Sequence, residues 1–216
     1  MDKLALLQGM LDTGVVAIVR LSSSESLIRV AEAIAAGGVR YIEFTMTTPG
    51  ALKTLEEVST RFGEDVVFGA GTVLDAESAR AAILAGAKFI VAPTLDPEVI
   101  EICSRYSVVS MPGALTPTEV LKAWDLGADV VKVFPASAVG GPSYIKALLA
   151  PLPQLKLAPV GGVNLDNVSE YIRMGAVCVG VGSALVNNKL VASGDWAALT
   201  ERAKGFIEGV KAGRQK

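Results

Sequence analysis

The sequence predicts an α/β fold, a single (β/α)8 TIM barrel with an N-terminal helix, on three observations. First, a glycine followed by a short apolar strand recurs four times, at Gly38-Val-Arg-Tyr-Ile-Glu-Phe-Thr, Gly86-Ala-Lys-Phe-Ile-Val-Ala-Pro, Gly127-Ala-Asp-Val-Val-Lys-Val-Phe and Gly175-Ala-Val-Cys-Val-Gly-Val-Gly. Second, each copy follows an amphipathic helical stretch, at 25–36, 76–85, 117–126 and 166–174, with the glycine placed to end the helix. Third, four further apolar segments lie between the copies. Eight strands alternating with helices suit a parallel sheet closed on itself. An open doubly wound sheet accommodates eight regular units less well, and no GxGxxG follows the first strand.

Taken in order, an N-terminal helix is expected first. Val15–Val19 is the first strand and ends at Arg20. The Gly38 copy is the second. Val66–Gly69 is the third, followed by Gly69-Ala-Gly-Thr72. The Gly86 copy is the fourth and closes at Pro93. Val108–Met111 is the fifth, closed by the turn signal Met111-Pro-Gly113. The Gly127 copy is the sixth and Leu155–Val160 the seventh, which Gly161-Gly162 follows. The Gly175 copy is the eighth, and Gly182-Ser183 follows it. With 216 residues, half of them hydrophobic, and no linker or low-complexity segment, one domain is expected over 1–216.

Composition excludes several classes of function. Twenty basic residues against 22 acidic ones, without a basic stripe, argue against a nucleic-acid partner. No apolar run reaches about 18 residues, so no membrane span is expected. The first residues also lack the basic start and apolar stretch of a signal peptide. Cys103 and Cys178 form no CxxC pair and read as reduced core thiols of a cytoplasmic protein. The sequence contains no histidine. A Ser-His-Asp triad, a Cys-His pair and a His-ligated zinc are therefore impossible.

The chemistry centres on Lys132, within Ala-Asp-Val-Val-Lys-Val-Phe-Pro (128–135). Apolar neighbours would strip the ammonium of water, lower its pKa and leave a nucleophilic amine suited to Schiff-base formation. The plainer alternative is a strand-end lysine that reaches water along its stem. With the four copies aligned on their glycines, the fifth residue onward is Glu43, Val91, Lys132 and Gly180. Alternate strands of such a barrel supply one interior layer. Glu43 and Lys132 would then share it, as a site or as a buried structural ion pair. Arg40, Lys88 and Asp129 have the opposite parity and read as solvated or locally paired charges.

Arg20 ends the first strand, as a clamp for a carboxylate or as an ordinary surface arginine. The loops after the seventh and eighth strands, with Gly161, Gly162, Gly182 and Ser183, are where barrels often bind phosphate. Asn164 or Asp166 is expected to cap the helix after the seventh strand, and Ser183 the next short one.

These segments together resemble the bacterial 2-keto-3-deoxy-6-phosphogluconate aldolase family, which includes 4-hydroxy-2-oxoglutarate aldolase activity. The resemblance runs from Val15 to the C-terminal helix. It is carried by Gly-Gly-Val-Arg-Tyr-Ile-Glu-Phe-Thr (37–45), Gly-Ala-Gly-Thr-Val (69–73), Met-Pro-Gly (111–113), Val-Lys-Val-Phe-Pro (131–135), Gly-Gly-Val (161–163) and Val-Gly-Ser (181–183). It implies a class I aldolase with Lys132 as the Schiff-base lysine and Glu43 as the general acid–base. Thr72 falls at the substrate carboxylate. Thr45, Thr47, Pro93, Phe134 and Val160 fall in the pocket, and Gly161, Gly162, Gly182 and Ser183 at the phosphate. It further implies a homotrimer without cofactor or metal, acting on a small keto acid and a phosphorylated aldehyde. Two departures stand out. Many members carry an arginine four residues after the catalytic glutamate, where this chain has Thr47; the resemblance then hands the carboxylate to Arg20. Val160 stands where gluconate enzymes often have threonine, as in 6-phosphogalactonate relatives. A non-covalent phospho-sugar isomerase and a non-catalytic oligomeric scaffold are the rival readings.

Overall fold

The computed structural model describes residues 2–21, 25–63 and 65–215. Among these, the elements run α1 (Lys3–Thr13), β1 (Val15–Val19), α2 (Leu27–Ala36), β2 (Tyr41–Thr45), α3 (Ala51–Arg61), β3 (Val67–Gly71), α4 (Ala76–Leu84), β4 (Phe89–Val91) and α5 (Pro97–Arg105). They continue as β5 (Val109–Met111), β6 (Gly113–Ala114), α6 (Pro117–Asp125), β7 (Val131–Val133), α7 (Pro142–Leu149), β8 (Leu157–Pro159), α8 (Val168–Arg173), β9 (Val179–Val181), α9 (Asn188–Ser193) and α10 (Trp196–Arg214). A 3₁₀ turn spans Ala136–Val139.

The recurring glycines do the same work four times. Gly38, Gly86, Gly127 and Gly175 all have φ between +93° and +104°, a left-handed conformation that disfavours any residue with a Cβ. Each donates its N–H three residues back, and the next residue donates five back, as in Gly38 N to Ala35 O and Val39 N to Ile34 O. This double bond stops the helix and turns the chain into the following strand. Helix starts are set as regularly. Asp75, Asp96 and Asp195 accept from backbone N–H groups of α4, α5 and α10, and Thr116 with Glu119 forms a full capping box on α6.

All paired strands are parallel. They form a six-stranded sheet, β5-β4-β3-β2-β1-β9, and a three-stranded sheet, β6-β7-β8. The fifth predicted strand differs from expectation: it is β5 and β6, separated by Pro112. Proline has no N–H to give to a ladder, and the chain changes partner there. Val109–Met111 pairs with β4, whereas Gly113–Ala114 pairs with β7. The two sheets also meet at a bridge between Val160 and Gly180, and through Asp129 N donating to Ser110 O at 3.2 Å.

Burial splits into two clusters. The larger lies between the strands and the surrounding helices. The smaller takes Val16, Tyr41, Val67, Phe89, Val91, Val109, Met111, Val130, Ala158 and Cys178 from the other strand face, together with Leu6 and Met10 of α1. Helix α1 thus covers the N-terminal ends of the strands, and burial of Leu6 and Met10 stabilises it by about 2 kcal/mol each. Tyr41 Oη donates to Leu6 O at 2.9 Å, Lys3 pairs with Asp129 at 2.9 Å, and Arg214 of α10 donates to the Leu11 and Asp12 carbonyls. Asp129 is therefore a local ion pair, as its parity predicts. Both cysteines are buried and free. Among the described residues, no helix is long and apolar enough to cross a membrane, and no cluster of three or more acidic or cysteine side chains is placed to hold a metal.

Candidate active site

Lys132 sits in the middle of β7 with its side chain 5% exposed. The β-branched run Val130, Val131 and Val133 favours the strand. Val131 and Val133 pack toward the helices and Val130 toward the inner cluster, so Lys132 shares Val130's face. Its register partners are Gly113 and Ala158, whose small side chains leave room for a long one. The ammonium lies 5.0 Å from the centroid of the Phe134 ring. Burial pushes the Lys132 pKa below the usual lysine range. Glu43 opposes that shift and Arg20 adds to it.

Glu43 lies on β2 between Ile18 of β1 and Gly69 of β3, and is 1% exposed. Its Oε2 is buried without a hydrogen-bond partner in the protein. No ion pair within 4.0 Å joins it to Lys132; the two interact through the field only. Desolvation pushes its carboxyl up to about 7, against the pull of Lys132 and then Arg20. A buried amine of lowered pKa and a buried acid titrating near neutrality face the same interior. That pairing can hold a neutral nucleophile and exchange a proton near pH 7.

The carboxylate, pocket and phosphate candidates fall at or beyond the C-terminal ends of the strands. Thr45 ends β2, and its hydroxyl lies 3.1 Å from that of Thr47 and 3.3 Å from that of Thr48. Thr48, not foreseen, also accepts from Leu21 N at 3.3 Å and so ties the segment after Arg20 to the loop after β2. Thr72 follows β3 with φ +58°, an unusual conformation for a β-branched residue and a mark of local strain. Pro93 follows β4; its carbonyl would stand 2.3 Å from a Cβ at position 113, so Gly113 is there to let the chains touch.

A cavity of about 430 Å³ joins the remaining residues: Arg20, Phe134, Val160, Gly161, Gly162, Gly182 and Ser183 all line it, with Ile18, Asn164 and Asn188. Glu43, Lys132, Thr45, Thr47, Thr72 and Pro93 do not. Arg20 therefore opens onto the same space as the glycine loops, while its charge also reaches Glu43 and Lys132. Among the described residues, the N–H groups of Gly162, Val163, Ser183 and Ala184 meet no protein acceptor, which suits an anion. Neither Asn164 nor Asp166 caps α8, whose N-cap is Asn167; Asn164 Oδ1 instead accepts from Asp166 N and Asn167 N in the turn before the helix. Ser183 does not cap either. The cap of α9 is Asn187, because the turn 182–186 intervenes before that helix begins. Ile18 and Asn188 were missed; Ile18 was detectable as the inward residue two places before Arg20.

Known proteins resemble this chain in sequence and in fold. Residues 8–202 match the family model described as KDPG and KHG aldolase. The 2-dehydro-3-deoxy-phosphogluconate aldolase of Treponema pallidum is 34% identical over 90% of this chain and 92% of its own, and the KHG/KDPG aldolase of Escherichia coli K12 is 32% identical over 94% and 96%. Among solved structures, Legionella pneumophila KDPG aldolase, with pyruvate captured as a covalent carbinolamine, superposes with a TM-score of 0.86 at 30% identity, covering 95% of this chain and 98% of that one. A native KDPGal structure gives 0.86 at 30% identity, covering 94% and 96%. The chain belongs to the KDPG and KHG aldolase family.

Proposed function

We propose that this protein is a class I aldolase that cleaves 2-keto-3-deoxy-6-phosphogluconate, or its galactonate epimer, reversibly to pyruvate and glyceraldehyde 3-phosphate, with 4-hydroxy-2-oxoglutarate as a further substrate. The single observation that carries this reading is the buried Lys132 amine sharing an interior with a buried Glu43 carboxyl whose Oε2 has no protein partner.

In this mechanism neutral Lys132 attacks the C2 ketone of the sugar acid. Glu43 gives a proton to the carbinolamine hydroxyl, which leaves as water, and an iminium results. Glu43, directly or through water, takes the proton of the C4 hydroxyl, the C3–C4 bond breaks into the iminium, and the phosphorylated aldehyde leaves. The remaining enamine takes a proton at C3 from Glu43, and water releases pyruvate from Lys132. Thr72 and Arg20 hold the acid end of the substrate. Gly161, Gly162, Gly182 and Ser183 hold the phosphate through backbone N–H groups. Thr45, Thr47, Pro93, Phe134 and Val160 shape the space between. Holding both ends fixes the reacting carbon against the amine. The reaction needs no metal or cofactor.

We read the nine strands as the eight positions of one closed (β/α)8 barrel in a single domain, with β5 and β6 as the two halves of the fifth. The Val160–Gly180 bridge and the Asp129–Ser110 bond support closure at the two seams. We also propose a homotrimer. In its favour, a solved protein cage designed by fusing symmetric oligomeric domains aligns with this chain at a TM-score of 0.85 and 30% identity, covering 94% of this chain and 73% of that one.

Borohydride reduction in the presence of pyruvate tests the chemistry. The mass increment should fall on the peptide that contains Lys132 and vanish in Lys132→Ala. No adduct, or one on Lys88 or Lys156, would overturn the assignment and leave the non-covalent isomerase or the scaffold reading.

A further inference from the structure

Gly71 ends β3 opposite Thr45. Its φ lies outside the left-handed region, so the backbone there would accept alanine. Its carbonyl takes a hydrogen bond from Met46 N at 2.8 Å, which any residue could supply. Glycine within a strand weakens it and marks a place where another group comes close. Here that group is the catalytic acid. A Cβ at position 71 would stand 2.4 Å from Glu43 Oε1 and 2.6 Å from Glu43 Cδ. Gly69, two residues earlier on the same strand, owes its lack of a side chain to the Phe89 ring and carbonyl, each at 2.6 Å. The first glycine serves packing; the second leaves room for a carboxylate.

We propose that Gly71 is the positioning residue for Glu43: its missing side chain holds the carboxylate against β3, with Oε2 free of protein partners and facing the reacting carbon. This rests on the aldolase reading above and adds a requirement to it. Glu43 is buried, and its carboxylate lies against the bare Cα of Gly71. A methyl group at 71 displaces the carboxylate from that position, and with it the proton-transfer geometry. Lys132 lies on β7 in the other sheet and is untouched.

The test separates amine chemistry from proton chemistry. On wild-type protein, pyruvate is trapped by borohydride, and its methyl protons exchange with deuterium oxide: the iminium gives a C3 proton to Glu43, and the enamine takes a deuteron back. Gly71→Ala should keep borohydride trapping within about twofold of wild type while slowing exchange about 100-fold, the low end of what a positioned acid–base contributes. The double variant Gly71→Ala/Glu43→Asp, whose shorter side chain withdraws the carboxylate by one methylene, should exchange faster than Gly71→Ala alone. Unchanged exchange in Gly71→Ala overturns the proposal. So does an equal loss of trapping and exchange, or a double variant no faster than the single one. If wild type itself traps no pyruvate, the aldolase reading fails instead.

Discussion

Replacing Glu43 by glutamine should make the protein more stable than wild type above pH 7, even as it removes the proposed acid–base. Burial pushes the Glu43 carboxyl from 4.5 up to about 7, so the folded state binds a proton that the unfolded chain has already released. Between those two values stability falls as pH rises, because the native state holds more protons than the unfolded one. Below pH 4.5 both states are protonated and the residue contributes nothing. Above 7 the folded protein carries an ionised, desolvated carboxylate at full cost. At ~1.4 kcal/mol per pKa unit the loss comes to about 3 kcal/mol. Glutamine fills the same space without a charge, so its own cost is independent of pH. Urea unfolding of both proteins at one fixed concentration, at pH 4, 5.5, 7 and 8.5, reads this directly. The difference, variant minus wild type, should climb by about 3 kcal/mol across the series and level off above pH 7. A flat difference would show that Glu43 titrates normally and that its environment is wetter than its 1% exposure indicates.

Ser183→Asp places a negative charge in the cavity lined by the glycine loops. A like charge at ~4 Å costs about 1 to 4 kcal/mol between bulk-water and near-surface dielectrics, so KM for the phosphorylated substrate should rise about tenfold or more. In steady-state kinetics, cleavage of unphosphorylated 4-hydroxy-2-oxoglutarate should be nearly unaffected; equal losses on both would refute the phosphate assignment. Tyr41→Phe leaves the Leu6 carbonyl under α1 without its 2.9 Å hydrogen bond. It should cost about 1–2 kcal/mol, seen as a lower urea midpoint at unchanged m-value.

The sequence brought Glu43 and Lys132 to one buried face because the four glycines fix a register. Once each helix must stop at a left-handed glycine, the fifth residue onward in each strand lies on the inner face, and Glu43 and Lys132 are found by counting. The same counting cannot reveal Gly71, whose purpose depends on a side chain from the neighbouring strand. Nor can it show that the fifth strand changes partners at Pro112: Met111-Pro-Gly113 reads as a turn, while pairing with β4 on one side and β7 on the other is decided by the whole sheet. Ser183 had the right chemistry for a cap, but the turn at 182–186 delays the helix until Asn187. Arg20 was placed by strand position, yet the cavity it lines belongs to the glycine loops, because a long side chain at a strand end is steered by what surrounds it.

The aromatic ring beside Lys132 has a consequence for timing. The face of Phe134, 5.0 Å from the nitrogen, attracts a positive charge and is indifferent to a neutral amine. Before the ketone arrives, that preference works against the attacking form of the lysine. In the proposed mechanism, once the carbon–nitrogen double bond has formed and is protonated, the same nitrogen is cationic, and the ring then favours the state in which carbon–carbon cleavage occurs. One residue thus slows the first encounter slightly and lengthens the life of the species that matters, so a leucine there should shift the accumulated intermediate toward free enzyme.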